Sequence, residues 1–310
     1  MDTRVPEGLS HHDPTRTVDL ENPHAVLAAV DAIMRRRFGS GYGLPLLEQA
    51  VADLARAFRG EYPGLLRCDT YYHDLRHALD SGLAMARLLD GQAAGSKPEA
   101  PAHIDAEHAL LGVLLALFHD VGLLRRADEA HLQGAQLTPV HEARGVAFMR
   151  DYLGRTRLAH LAAKAELIMI TRLVWHMPPE ISPRDREISC LLGTADIISQ
   201  LADRCYLEKC RDFLYIEFSA CGLAGSPDLA YPDPETLLRN TPAFYTGLLR
   251  QRIHNEYADA DRYMQIHFGG ECPYQASIKR NFSFLEGLLA SAELSRLRRQ
   301  PQRVIDAKPC

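Results

Sequence analysis

Apolar residues recur at intervals of three and four in segment after segment of this chain, and no sustained alternation of period two interrupts them. Each segment therefore turns one stripe toward a core and none reads as a half-buried strand, so the fold class is all-α. The spacing predicts helices over roughly 24–38, 46–59, 72–90, 105–120, 140–153, 157–176, 185–204, 234–265 and 276–298. Two stretches break the rhythm. DGQAAGSKPEAPAH (90–103), rich in Gly, Ala, Ser and Pro, predicts a mobile connection, and GSPDLAYPDPET (225–236) marks a second break. The expected division is a disordered tail over 1–22, an N-terminal helical pair over 23–65, a central domain over 66–222, a C-terminal helical extension over 223–298 and a flexible tail over 299–310.

Composition narrows the classes this helical chain can belong to. With 310 residues, 46% of them hydrophobic, it can bury a sizeable core. Its longest apolar run, 109–118, falls well short of the roughly 20 residues that span a bilayer, so no membrane helix is expected. The first twenty residues mix charges with prolines and lack the apolar stretch of a secretory signal. Seven scattered cysteines with no C-x-x-C pair do not form a disulfide framework, and a cytoplasmic location is expected. A net charge of -5 argues against stable nucleic-acid binding; the basic runs MRRRF and LSRLRRQPQR read as solvated helix faces.

Three His-Asp dipeptides then compete for chemical meaning. His12-Asp13 precedes a proline in a polar stretch and reads as disordered surface. His119-Asp120 closes the most apolar helix, in LLALFHDVGLL (114–124), where a buried Asp is costly unless a cation lies beside it. The alternative makes it an ordinary helix end. In YYHDLRHALD (71–80), His73 and His77 stand four apart and project from one helix face, a spacing that suits a divalent metal. LLGTADIISQLADR (191–204) sets Asp196 beside an apolar stripe, either as a ligand or paired with a neighbour such as Arg204; Gln200, one turn on, either contacts substrate or is exposed.

Taken in order, these elements resemble the HD-domain metal-dependent phosphohydrolases, and within them the branch of cyclic-nucleotide phosphodiesterases. YHDLRHALD is similar to the Y-H-N-x-x-H-A-x-D pattern, H-D-V-G stands intact at 119–122, and Asp196 supplies the closing carboxylate. The resemblance covers about 70–220 and implies an HD-domain-like helical bundle between N- and C-terminal helical extensions. It also implies that His77, His119, Asp120 and Asp196 bind a first metal, that Asp120 bridges to a second, and that His73 is the proton donor. His141 in TPVHEARGVAF and His176 in LIMITRLVWHMPP resemble added ligands or phosphate contacts of bacterial members; the other reading makes them residues at a helix start and a helix end. Asp74 replaces the usual Asn, Leu123 and Leu124 follow H-D-V-G, and the lysine and G-Y-P signature of cyclic-di-GMP enzymes are absent.

The implied cofactor is one or two divalent ions (Mn, Fe, Zn, Ni or Mg), since imidazole and carboxylate ligands do not select among them. The implied activity is hydrolysis of a nucleotide or other small phosphoester, a phosphodiester in first place, with the cation making water nucleophilic. Two other readings stand beside it: a mixed-valent di-iron oxygenase built on a similar His-Asp cage, and a non-catalytic metal-containing binding protein. The terminal helices cover the site, extend the core or form a homodimer face; the sequence leaves all three open.

Overall fold

Ala109 to Phe118 is apolar on every side, and a helix of that kind is stable only when other helices surround it. The computed structural model, which describes residues 10–97 and 99–304, places this segment in helix α4 (Ala106–Phe118), with every residue from Ala109 onward buried. The longer stretch Ala106–Leu123 has the length and hydropathy to cross a membrane, but 83% of it lies buried inside the fold. Asp105 starts α4 by accepting the amides of Glu107 and His108.

Five helices and one tight helical segment enclose this axis: α1 (Pro23–Phe38), α2 (Leu44–Arg59), α3 (Leu75–Gly95), α5 (His141–Gly154), α6 (Pro183–Ala202) and the 3₁₀ segment Ala159–Thr171. The chain continues through α7 (Tyr206–Lys209), a π turn (Cys210–Leu214) and α8 (Tyr215–Ala220), then α9 (Pro234–Phe244), α10 (Arg250–Asn255), α11 (Arg262–Phe268) and α12 (Pro273–Ser291). Among the described residues all regular structure is helical, with three isolated backbone bridges. The all-α class holds.

Several boundaries differ from the sequence expectation for visible reasons. Helix α3 runs to Gly95, into the stretch expected as a mobile connection, because Gly91 lets the backbone of Tyr263 approach where a Cβ would lie 1.9 Å from its carbonyl oxygen. The helix expected over 157–176 is 3₁₀ and stops at Thr171, where Arg252 takes the carbonyls of Ile170 and Arg172. The helix expected over 234–265 breaks at Ala258 and Asp259, both in the left-handed region (φ 52° and 54°).

Both expected tails need correction where they are described; residues 1–9 and 305–310 lie outside the described residues. The segment 10–22 is packed rather than disordered. Asp13 is fully buried, bound to Arg87 at 2.8 Å and to the Thr15 hydroxyl and the amides of Thr17 and Val18. A charged group so enclosed is tolerable because every lone pair has a partner. At the other end, the strap 297–304 lies against the core, with Leu297 and Val304 buried. The far end of α3 is held by Asp90, which takes Arg36 (2.9 Å) and Arg37 (2.8 Å) from α1 and His267 (2.7 Å) from α11. Burial alone would raise the Asp90 carboxyl, but these three partners pull it down to about 2.

Candidate metal centre

The first turn of α3 and the end of α4 bring two imidazoles face to face. Asp74 caps α3 by accepting the amide of His77 (3.1 Å), which sets the helix start so that His77 points inward. Its Nε2 lies 3.2 Å from Nε2 of His119, the residue that ends α4. Asp120 Oδ2 lies 3.4 Å from the His77 nitrogen and 3.1 Å from the His119 nitrogen. Asp196, on α6, places Oδ1 3.3 Å and 3.5 Å from the same two nitrogens. His141, the first residue of α5, sets Nε2 3.4 Å from the other Asp120 oxygen.

Tautomers follow from the second nitrogens. His119 Nδ1 donates to the Ala116 carbonyl (2.8 Å) and His141 Nδ1 to the Thr138 carbonyl (2.7 Å), so each neutral ring presents a lone pair on Nε2. Two lone pairs and two carboxylates crowded together repel unless something positive lies among them. Without a cation that something is protons. Burial pushes the His77 imidazole down, but Asp120 and Asp196 outweigh it and lift it to about 9. Burial likewise opposes protonation of His119, and the same two carboxylates raise it well above the ordinary histidine range. Burial pushes both acids up, but His119 and its neighbours hold Asp120 and Asp196 well below the usual carboxylate range.

The cluster also fits a divalent ion. Ligand atoms about 2.0–2.2 Å from a shared ion lie roughly 3.0–3.5 Å from one another, and the three contacts among His77, His119 and Asp120 measure 3.1 to 3.4 Å, while Asp196 Oδ1 faces the two imidazoles from 3.3 and 3.5 Å. Asp120 Oδ2 is sealed from solvent without a hydrogen-bond partner, an orphan that a cation would satisfy. His77, His119 and Asp120 form the buried heart of the group.

His73 stands beside the cluster rather than in it. Its ring meets that of His77 edge-on at 5.7 Å, and its Nδ1 is bound to Glu217 Oε2 at 2.6 Å. Glu217, from α8, is buried and uses Oε1 to accept the amides of Tyr71, Tyr72 and His73. Burial raises the Glu217 carboxyl, but His73 and the amides outweigh it and hold it below its ordinary value. The strap grips the same loop from its carbonyl side: Arg303 donates to the carbonyl of Thr70 (2.7 Å), and the Val304 amide to Asp74 Oδ2 (2.8 Å). Sequence reasoning missed Glu217, Arg303 and Val304, which meet the loop from 144 to more than 230 positions away.

The remaining expected residues divide. Gln200 is bonded to Asp196 (3.1 Å) and accepts the Tyr72 hydroxyl (3.0 Å), so it orients the carboxylate instead of pointing to solvent. Arg204 is not the partner of Asp196. His176 is exposed in the 172–182 connection and makes none of the contacts that join the other five ligand candidates.

A family model described as Npun_R2479-like matches residues 129–272. The match spans His141, Asp196 and Glu217 and begins after His119-Asp120. No curated protein and no solved structure matches the chain.

Proposed function

We propose that the chain is a metal-dependent phosphohydrolase of the HD type, acting on a nucleotide or another small phosphoester, with phosphodiesters preferred. The observation that carries this reading is the pairing of a fitted His-Asp cluster with a separate histidine, His73, anchored on a buried carboxylate beside it. A purely structural metal site has no use for the second feature.

His77, His119, Asp120 and Asp196 would hold the cation, with His141 facing the second oxygen of Asp120. When bound, a divalent ion makes water nucleophilic near neutral pH and neutralises phosphoryl charge. The rest belongs to the chain. When the His73 imidazole carries both protons, its Nδ1–H is anchored on Glu217, and the Nε2–H is the one free to pass to the oxygen leaving phosphorus. The P–O bond breaks toward that oxygen, which departs as an alcohol, and the imidazole regains a proton from water. Gln200 and Tyr72 keep the Asp196 carboxylate turned toward the two imidazoles.

The test combines elemental analysis with hydrolysis assays on cyclic nucleotides, nucleoside phosphates and generic diesters. Wild-type protein should carry divalent metal and cleave a phosphoester with added Mn. His73→Ala should keep the metal and lose about 100-fold or more of the rate on alkyl leaving groups. Anaerobically purified protein with two irons, no esterase activity and oxygen uptake on an organic substrate would replace this reading with the oxygenase.

A further inference from the structure

Just past α6, the fold holds a guanidinium that nothing in the protein answers. Arg204 is only 7% exposed, and its Nε and Nη2 are sealed from solvent without a hydrogen-bond partner. Among the described residues it forms no ion pair. An arginine cannot shed its charge, so a buried and unpaired one calls for an anion.

Three more arginines are brought to the same turn from separate parts of the chain. Asn281 of α12 donates to the carbonyls of Leu201 (2.9 Å) and Asp203 (2.8 Å), which carries the exposed Arg280 alongside. Arg299 of the strap donates to the Arg204 carbonyl itself. Arg76 ties in the N-terminal segment, donating to the Ser10 carbonyl (2.9 Å) and Asp203 Oδ1 (3.0 Å). Arg16 sits exposed on that segment in a left-handed turn, φ 67°. Neither the Arg16 nor the Arg280 guanidinium has a hydrogen bond or ion pair among the described residues. Burial, then the charges of Arg16, Arg280 and Arg299, push the Arg204 guanidinium below its ordinary value.

The nearby acids do not balance this charge. Asp13 is committed to Arg87. Asp203 is shared by Arg76 and Lys209, the latter at 2.7 Å. Glu208 comes only within 3.9 Å of Arg299, and burial pushes its carboxyl up.

We propose that this arginine cluster is a binding site for a small, soluble oligophosphate, with Arg204 as the buried anchor and Arg16, Arg280 and Arg299 around it. Planar guanidinium forks match phosphate oxygens bidentately, and four of them exceed what one carboxylate can neutralise. The burial of Arg204 favours a free ligand over a headgroup in a flat bilayer. Arg204 lies past the end of α6, eight residues beyond Asp196, and makes no hydrogen bond or ion pair with the His-Asp cluster among the described residues.

Inorganic pyrophosphate is the probe, added to full-length protein in EDTA so that no cation bridges it to the His-Asp cluster. Wild type should show a melting temperature that rises with pyrophosphate and a measurable affinity by titration calorimetry, weaker with orthophosphate. Arg280→Ala should weaken binding about tenfold, and Arg204→Met should abolish it. Arg204→Met should also melt higher than wild type without ligand, since an unanswered buried charge has gone. Asp120→Asn should keep the full pyrophosphate response, which separates this site from the metal reading. The proposal is overturned if wild type shows no response, if Arg204→Met responds like wild type, or if Arg204→Met melts lower without ligand.

Discussion

Asp120 divides its two oxygens between partners: Oδ2 faces His77 and His119, and Oδ1 faces His141. A carboxylate so placed joins two sets of imidazoles, and its geometry depends on residues that never touch it. Glu217 is the clearest of these, because one side chain binds His73 and three consecutive amides of the loop leading into α3. Glu217→Gln keeps the size but removes the charge that orients the imidazole. We expect a fall of about 10–100-fold in kcat, steeper for alkyl than for nitrophenyl leaving groups, with KM and metal content nearly unchanged. Equal losses on both leaving groups would show that Glu217 serves the fold alone. His77, His119 and Asp120 stood out in the sequence because their signals are local, a dipeptide and an H-x-x-x-H spacing, although α3 begins only at Leu75, so His73 does not share a helix face with His77 as the spacing suggested. Glu217 did not, because an isolated glutamate on a short helix gives no sign of the loop it will meet. Asp13 was misread for the same reason, since a polar neighbourhood in sequence does not show that Arg87 waits in the core.

At the scale of elements, the approach of α5 to the end of α4 decides whether His141 can reach Asp120. The turn Val121–Leu123 packs against the first turn of α5, and Gly122 makes that contact possible. A Cβ there would lie 1.9 Å from the His141 carbonyl oxygen and 2.8 Å from the Gly145 nitrogen, both rigid backbone atoms. Gly122→Ala must therefore displace α5. We expect a stability loss of about 1–3 kcal/mol and at least tenfold weaker metal binding. Gly154→Ala, at a position with nothing within 4 Å, should leave both unchanged. Differential scanning calorimetry and metal titration would decide, and unaltered affinity in Gly122→Ala would refute this role for the turn. Helix positions were readable from periodicity, but several ends were not. The stop at Thr171 depends on Arg252 arriving from α10, and the length of α3 depends on α11 accepting Gly91.

For the whole molecule, the protons held in the centre couple metal, pH and stability. His77 titrates near 9 in the metal-free fold against 6.5 for a free imidazole, so below about pH 9 a cation must expel its proton. Metal affinity should therefore climb with pH through about 9, His119 adding a second proton to expel, with proton release visible by calorimetry in two buffers of different ionisation enthalpy. The raised pKa also means that His77 stabilises the metal-free fold fully below about 6.5, and this contribution is lost as pH rises through about 9. Melting temperature should follow that decline in metal-free protein and not in metal-loaded protein. Affinity independent of pH between 6 and 9 would contradict the arrangement.

The arrangement around Asp90 has a consequence for how the chain matures. One acid gathers cations 53 and 54 positions upstream and a histidine 177 positions downstream. The base of α3 therefore cannot close until synthesis has passed residue 267, although every ligand candidate emerges earlier. A nascent chain would carry the candidate ligand His77 on a helix still unfastened at its far end, and any metal loading would wait for the last third of the polypeptide.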